Sequence, residues 1–324
     1  MGHEIESTAW IGQVPWHGLG VELPAGSTPQ QMMVAADLDW TVRPEPMMVN
    51  IDGEYKQVGE NTVLVRNSDN KIFGPAGPRF VPTRNKDAFV FLDRFCKAGK
   101  MEMETCGSLK GGTEIWALAK YRDDFDIIKG DTMKGYLLIH VSHVWGKGNQ
   151  VRNTGVRVVC NNTLTMALQE GKGQFRMPHL ADFDLGMQER AAAAVGLADN
   201  QLMEFAEAAK FLSSKKFKDD HVQEYIARLY DPKLLEGRPP GAPPLHMDYA
   251  PRAANVWEAL ARAPGATLPG SDGTWWGAFN AVTYMEDHLR ESYKEPSNIL
   301  HSMWFGGGAR RKTQALELAL EYAK

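Results

Sequence analysis

The chain has 324 residues, of which 43% are hydrophobic, 23% charged and 10% aromatic, and its formal net charge is -4. Such values exclude collagenous, coiled-coil and wholly disordered chains and leave room for one large domain or two ordinary ones. A net negative charge also excludes histone-like attraction of the whole molecule to nucleic acid, so any polyanion site has to be local.

The longest low-polarity run, Ala191 to Ala198, is far shorter than the roughly 18 apolar residues of a bilayer-spanning helix, and Glu4 and Glu6 spoil a secretory leader. Three cysteines, Cys96, Cys106 and Cys160, stand at unrelated spacings, against a disulfide framework or a four-ligand zinc site. The expected setting is the cytoplasm, with no membrane contact.

Met1 to Gly26 holds Trp10, Trp16 and His17 without a helical period and reads as an aromatic-anchored irregular segment. Thr28-Pro29-Gln30-Gln31 then gives a capping-box start to a short helix ending near Leu38. From Trp40 to Val81, extended runs such as Met47 to Ile51 and Thr62 to Arg66 are separated by Asp52-Gly53, Asn67 to Asn70 and Gly74-Pro75 turns, a hairpin pattern. A helix starting near Asn85 carries Phe89, Leu92, Phe95 and Cys96 on one face.

Three extended runs follow. They are Glu114 to Arg122, Lys134 to Trp145 and Gly155 to Cys160. The second places Leu137, Ile139, Val141 and His143 on one face and Tyr136, Leu138, His140 and Ser142 on the other. Asn161 or Asn162 would cap a helix carrying Leu164, Ala167 and Leu168, completing a β-β-β-α unit. Beyond Pro178 the pattern becomes helical: Met187 to Leu197, Gln201 to Leu212 with a break at Gly196, and Asp220 to Tyr230. Pro232 to Pro251 is too rich in proline for a regular element, and helices over about Trp275 to Tyr293 and Ala309 to Tyr322 close the chain.

The expected architecture is therefore α+β. An antiparallel sheet with a β-β-β-α core and a long basic hairpin occupies residues 1–185, a helical segment 186–231, a proline-rich linker 232–251 and a C-terminal helical segment 252–324.

Several blocks of the sequence, in order, carry a resemblance. They are His3-Glu4-Ile5-Glu6, Pro15-Trp16-His17-Gly18-Leu19-Gly20, Gly107-Ser108-Leu109-Lys110-Gly111-Gly112, Val156 through Leu164, Ala278 through Thr283, Asp287-His288 and Trp304-Phe305-Gly306. The chain resembles the phage/plasmid-like protein family known as domain of unknown function 932, over nearly its whole length. The resemblance implies a mobile-element setting and one family-wide fold, and it carries no activity. In topology alone, the β-β-β-α unit with its basic hairpin resembles the ring-forming single-strand annealing proteins of the Rad52 and RecT group. That likeness implies single-stranded DNA as partner and a homo-oligomer as the working state.

The residues supply their own argument for a polyanion site. No Asp or Glu occurs between Thr132 and Leu168, while Lys134, Lys147, Arg152 and Arg157 stand there beside Tyr136, His140, His143 and Trp145. Cations can follow phosphates while aromatic rings stack bases. Hence Lys134, Lys147, Arg152 and Arg157 are expected at phosphates, with Tyr136, His140 and Trp145 beside bases. The competing reading is a solvated hairpin whose charges pair with Asp123, Asp124 and Asp126. A second cationic group, Arg310, Arg311 and Lys312, follows Gly306-Gly307-Gly308 at a helix start, where an anion is electrostatically favoured; a plain hinge is the competing reading.

Catalytic signals are thin. The Gly-rich run lacks the Gly-Lys-Ser/Thr ending of a P-loop, and no nucleophile elbow or dinucleotide fingerprint is present. His140 and His143, three apart on a strand, point to opposite faces and cannot share a metal. No catalytic residue, metal or cofactor is therefore assigned. The leading expectation is a nucleotide-independent protein that binds single-stranded DNA and promotes annealing. The alternatives are a metal-dependent nuclease or hydrolase using His3, Glu4, His17 or the Asp123 group, and an interaction protein such as a host-defence inhibitor.

Overall fold

Capping and turn residues, more than long apolar runs, set the element boundaries in the first third of the chain. In the computed structural model, Gln31 N donates to Thr28 Oγ1 at 3.2 Å and Thr28 N donates to Gln31 Oε1 at 2.8 Å, both halves of the capping box that starts α1 (Pro29–Ala35). The structure describes residues 5–12, 19–128, 130–157, 162–165, 174–177, 179, 183–239, 251–289 and 301–324. Two compact units interleave along the chain: Met1–Arg122, Tyr136–Arg152 and Gln174–Gly196 form the first, and Asp123–Gly135, Asn153–Gly173 and Leu197–Lys324 the second.

In the first unit, β1 (Ile5–Ile11) and β2 (Val21–Leu23) pair in parallel, in a stretch whose sequence reads as irregular. Thr8, Ala9 and Trp10 are all buried, so β1 lacks the clean alternation that marks a strand, and it is defined by its antiparallel pairing to β6 (Met101–Leu109). The sheet continues through β7 (Glu114–Tyr121), the later part of β9 (Asp131–Ser142), the earlier part of β10 (Asn149–Arg157) and β12 (Gln174–Met177). One face buries Ala9, Cys106, Ile115, Ala117, Ala119, Leu137, Ile139 and Val141 against Met32 and Met33 of α1 and Phe89, Phe91 and Leu92 of α2 (Asn85–Lys97). At roughly 1.5–3 kcal/mol for each large side chain buried, this layer is the main stabilising term of the unit.

A second sheet in this unit has the order β3-β4-β5, with β3 Val42–Ile51, β4 Glu54–Arg66 and β5 Ile72–Ala76. Its turn at Asp52-Gly53 has φ of 53° and 91°, the left-handed pair that a two-residue hairpin requires. Gly74-Pro75, expected as a turn, lies inside β5, where Pro75 is tolerated because β5 is an edge strand. Arg66 ties β4 to β1: its guanidinium donates to both oxygens of Glu6 at 2.8 Å and to Asp69 Oδ2 at 2.6 Å, over the rings of Trp40 and Phe73. Gly112 is required beside this ion cluster, since a Cβ there would sit 2.6 Å from Arg66 Nη1 and Glu6 Oε2.

In the second unit, β8 (Phe125–Ile128) pairs with the start of β9, and β11 (Asn162–Thr165) with the end of β10. The expected helix cap at Asn162 is thus corrected: its segment is a strand, whose backbone groups bond to Thr154 through Arg157. Residues 166–173, where the rest of that expected helix falls, lie outside the described residues.

The expected break at Gly196 is also corrected, because α3 runs unbroken over Leu185–Ser214. One glycine costs only about 1 kcal/mol against alanine in a helix, which burial of Ala191 on one side and Phe205 on the other offsets. The helices α4 (Asp219–Tyr230), α5 (Pro251–Arg262), α6 (Trp275–His288) and α7 (Gly307–Tyr322) complete the unit. The sequence reading missed α5, although Pro251 suits a first helical position and Ala253, Val256 and Ala259 are its buried stripe. Mixed α+β content with a helical C-terminal part is what the structure has. Among the described residues, no helix is long and apolar enough to cross a membrane.

The core of this unit gathers Trp275, Trp276, Phe279, Val282 and Met285 of α6 with Phe205, Tyr225, Ile226 and Leu316. It also holds ions. Lys312 Nζ donates to Asp287 Oδ1 at 2.7 Å, with both side chains entirely buried. Removing one partner of a buried pair strands the other charge, so Asp287→Ala should lower the unfolding free energy by about 3–5 kcal/mol in urea melts. The double change Lys312→Met with Asp287→Leu should recover most of that loss; equal damage from both would show that the pair is not what matters.

Candidate functional site

Three segments of the first unit meet in a cleft of about 550 Å³, lined by residues 77–80, 145–148, 176, 177 and 179. The turn between β9 and β10 is pinned from below: Asn149 Oδ1 accepts from Ser142 N at 2.9 Å and Asn149 Nδ2 donates to Thr83 Oγ1 at 2.7 Å. Gly146, at φ 83°, lets the chain reverse there. Across the cleft, Val81 N donates to the His179 carbonyl at 2.9 Å, and Phe80 stacks on the His179 ring at 4.3 Å. Trp145 is 58% exposed, and a Cβ at Gly77 would lie 3.3 Å from its indole, so the ring rests against backbone with its remainder open to water. Arg79 and Arg176 stand exposed at the rim.

Beneath the cleft is a buried polar layer. Glu114, with no solvent exposure, lies 2.5 Å from Lys147 Nζ, 3.4 Å from Lys110 Nζ and 3.4 Å from His140 Nε2. His143 Nε2 is 3.0 Å from Asn85 Oδ1, and the His143 ring packs against Trp40 and Phe73. Burial disfavours the imidazolium form of His140, His143 and His179, lowering all three and taking His143 to about 3. For Arg152, whose Nε is sealed from solvent, burial, aided by the like charge of Arg176, lowers the guanidinium to about 10.

The residues expected to bind nucleic acid separate into distinct groups. Trp145 and Lys147 line the cleft, the latter with its ammonium on Glu114. Tyr136 is buried and donates its hydroxyl to Glu104 at 2.9 Å, and His140 is buried beside Glu114, so neither ring is open to a base. Arg152 sits on β10 near Arg176. Lys134 is half-buried on β9 in the second unit, and the Arg157 side chain lies outside the described residues.

Of the three cations that begin the last helix, only Arg310 is exposed. Arg311 donates to the Leu229 carbonyl at 2.7 Å and stacks on Tyr230, and Lys312 is the buried partner of Asp287. The glycines that precede them serve close packing: Gly308 N donates to Ser302 Oγ at 3.0 Å, and a Cβ at Gly306 or Gly308 would meet Ser302 at 3.0 Å.

Arg79, Phe80, Arg176 and His179 were missed because each is an ordinary residue in its own segment, and only the fold makes them neighbours. Phe80 beside Arg79 and Phe175 beside Arg176 are the faint signal: two aromatic-cation doublets. The Asp123 group does not converge. Asp126 accepts from Thr132 at 2.6 Å and Asp131 from Trp276 Nε1 at 2.8 Å. Among the described residues no three His, Cys, Asp or Glu side chains are placed to hold a metal. His3, Glu4, His17 and Cys160 lie outside the described residues. Cys106 is buried on the helix-covered face, where burial pushes its thiol far above the ordinary range.

A family model described as a domain of unknown function (DUF932) matches residues 73–319, more than half of the chain and all of the cleft segments. Comparison with curated proteins and with solved structures found no match.

The lowered histidines fix a pH dependence. Unfolded, each takes a proton near pH 6.5; folded, it does so only at lower pH, so the unfolded state binds more protons in between. The contribution of His143 is complete above about pH 6.5 and is lost as pH falls toward 3, by up to about 1.4 kcal/mol per unit, and His140 and His179 add to the loss below pH 6.5 in the same direction. Urea melts between neutral pH and the carboxylate range should show this slope, and His143→Gln should make it shallower by one proton. A flat profile there would mean that the three rings are not held neutral.

Proposed function

The chain belongs to the domain of unknown function 932 family, and since that membership names no activity, we propose from the cleft that the protein binds single-stranded DNA without a nucleotide cofactor. One observation carries the reading: an exposed indole, set against the backbone at Gly77, stands among Arg79, Lys147 and Arg176 in a cleft with no acidic lining residue among the described residues. An open indole face stacks on a base that is already unpaired, and stacking of this kind contributes roughly 1–3 kcal/mol per base. The guanidiniums supply the sequence-independent phosphate contacts, local as the net charge of -4 demands.

The reading moves the site from the hairpin as a whole to its turn. It retains Trp145 and Lys147 and adds Arg79, Phe80 and Arg176. Strand annealing is the activity we assign to such binding, in the phage or plasmid setting implied by the resemblance, and we place it in the cytoplasm, where the free thiols of Cys96 and Cys106 stay reduced.

Fluorescence anisotropy with a single-stranded and a duplex oligonucleotide across a salt series tests this. The single strand should bind more tightly. Arg79→Ala with Arg176→Ala should reduce the log-log salt slope by about 0.7 per lost contact. Trp145→Ala should weaken binding by about 1–3 kcal/mol with the slope unchanged. Equal affinity for both oligonucleotides, indifferent to all three substitutions, would remove the cleft from any nucleic-acid role.

A further inference from the structure

The β3-β4 hairpin is longer than the sheet that supports it. β5 pairs with β4 only from Thr62 to Val65, so the distal half, where Met48 faces Gln57 and Ile51 faces Glu54, is a two-stranded ribbon. A two-stranded hairpin alone is marginal in water, and open edges invite pairing. Pro44 and Pro46 guard the supported half of β3, while the distal half has no proline and presents Met48, Val49, Ile51 and Tyr55, the last 73% exposed. The ribbon is also acidic: residues 47–60 carry Asp52, Glu54 and Glu60 against Lys56 alone.

The same unit carries the opposite surface. The cleft presents Arg79 and Arg176 at its rim and Trp145, Phe80, Met177 and Pro78 within, and its 550 Å³ accommodates an aromatic or aliphatic side chain. Acidic groups around an apolar tip face cationic groups around an apolar hollow. We propose that the occupant of this cleft in the absence of nucleic acid is the ribbon tip of a second copy of this chain. Tyr55 enters the hollow, and Asp52 and Glu54, at the turn beside it, meet Arg79 and Arg176.

The two surfaces are different, so the contact is heterologous: each copy has one tip and one cleft, and association closes into a ring or continues as a filament. Nucleic acid and the tip exclude each other from the cleft, which makes the assembly a sheltered form that a single strand opens. Only this last consequence rests on the nucleic-acid reading.

Native mass spectrometry of the full chain over a concentration series at low salt tests the contact. The unaltered protein should assemble. A ribbon variant, Asp52→Asn with Glu54→Lys, and a cleft variant, Arg79→Glu with Arg176→Glu, should each be monomeric; all four sites are exposed, and asparagine keeps the left-handed turn at position 52. Mixed together, the two variants should assemble again, since both resulting contacts are charge-matched. A monomeric unaltered protein, an assembly that survives either reversal, or a mixture that stays monomeric would overturn the proposal.

A single-stranded oligonucleotide added to the unaltered assembly should dissolve it, and the ribbon variant, with its cleft open, should bind that oligonucleotide more tightly than the unaltered protein does. If the ribbon variant ignores the oligonucleotide while the charge-swapped mixture assembles, the nucleic-acid reading fails and the ribbon contact stands.

Discussion

A carboxylate with no access to water organises the first unit. Glu114 begins β7, and its position obliges cations to come to it: Lys110 from the preceding loop, Lys147 from the β9–β10 turn, with His140 alongside from β9. An isolated buried carboxylate would be too unfavourable to persist, so the turn carrying Lys147 is held over the sheet end as firmly as the charge requires. Where that turn sits determines where Trp145 sits, and with it one wall of the cleft. The cleft therefore depends on the pairing of Lys147 with Glu114.

The second unit uses the same device without a surface consequence. Lys312 and Asp287 are buried together, and Arg311 is placed against Glu286, Tyr230 and the Leu229 carbonyl. Arg311 and Lys312, which look available in a linear reading of the last helix, are thereby structural. The contrast separates two placements of positive charge in one chain: cations bound to buried acids set geometry, and Arg79 and Arg176 at the cleft rim are exposed.

Conformational economy explains why the cleft borrows from three distant segments. Residues 77–80 leave an edge strand, 145–148 form a hairpin turn and Arg176 and Met177 end a short strand, so each segment combines a core anchor or turn with an exposed side chain, Arg79, Trp145 and Arg176. Loops on a rigid sheet are the usual place for recognition because they alone can present polar and aromatic groups without breaking the packed layer.

The local signals legible in the sequence were those with a short-range cause. The Thr28 capping box, the Asp52-Gly53 turn, the apolar stripe of α2 and the alternating faces of β9 all follow from chemistry within a few residues, and each is present in the structure. The strand at Asn162 and the unbroken helix through Gly196 were decided by partners far away, which outweigh a favourable cap or a single glycine. The same holds for the site. An acid-free stretch from Thr132 to Leu168 suggested a cationic track, but Glu114, eighteen residues before it, reaches Lys147 because β7 pairs with β9. Sequence alone determined which residue types were present and where turns and periodic faces fell. Tertiary structure decided which charges were neutralised and which aromatics faced water, because burial and pairing across strands depend on distances in space that spacing along the chain does not encode.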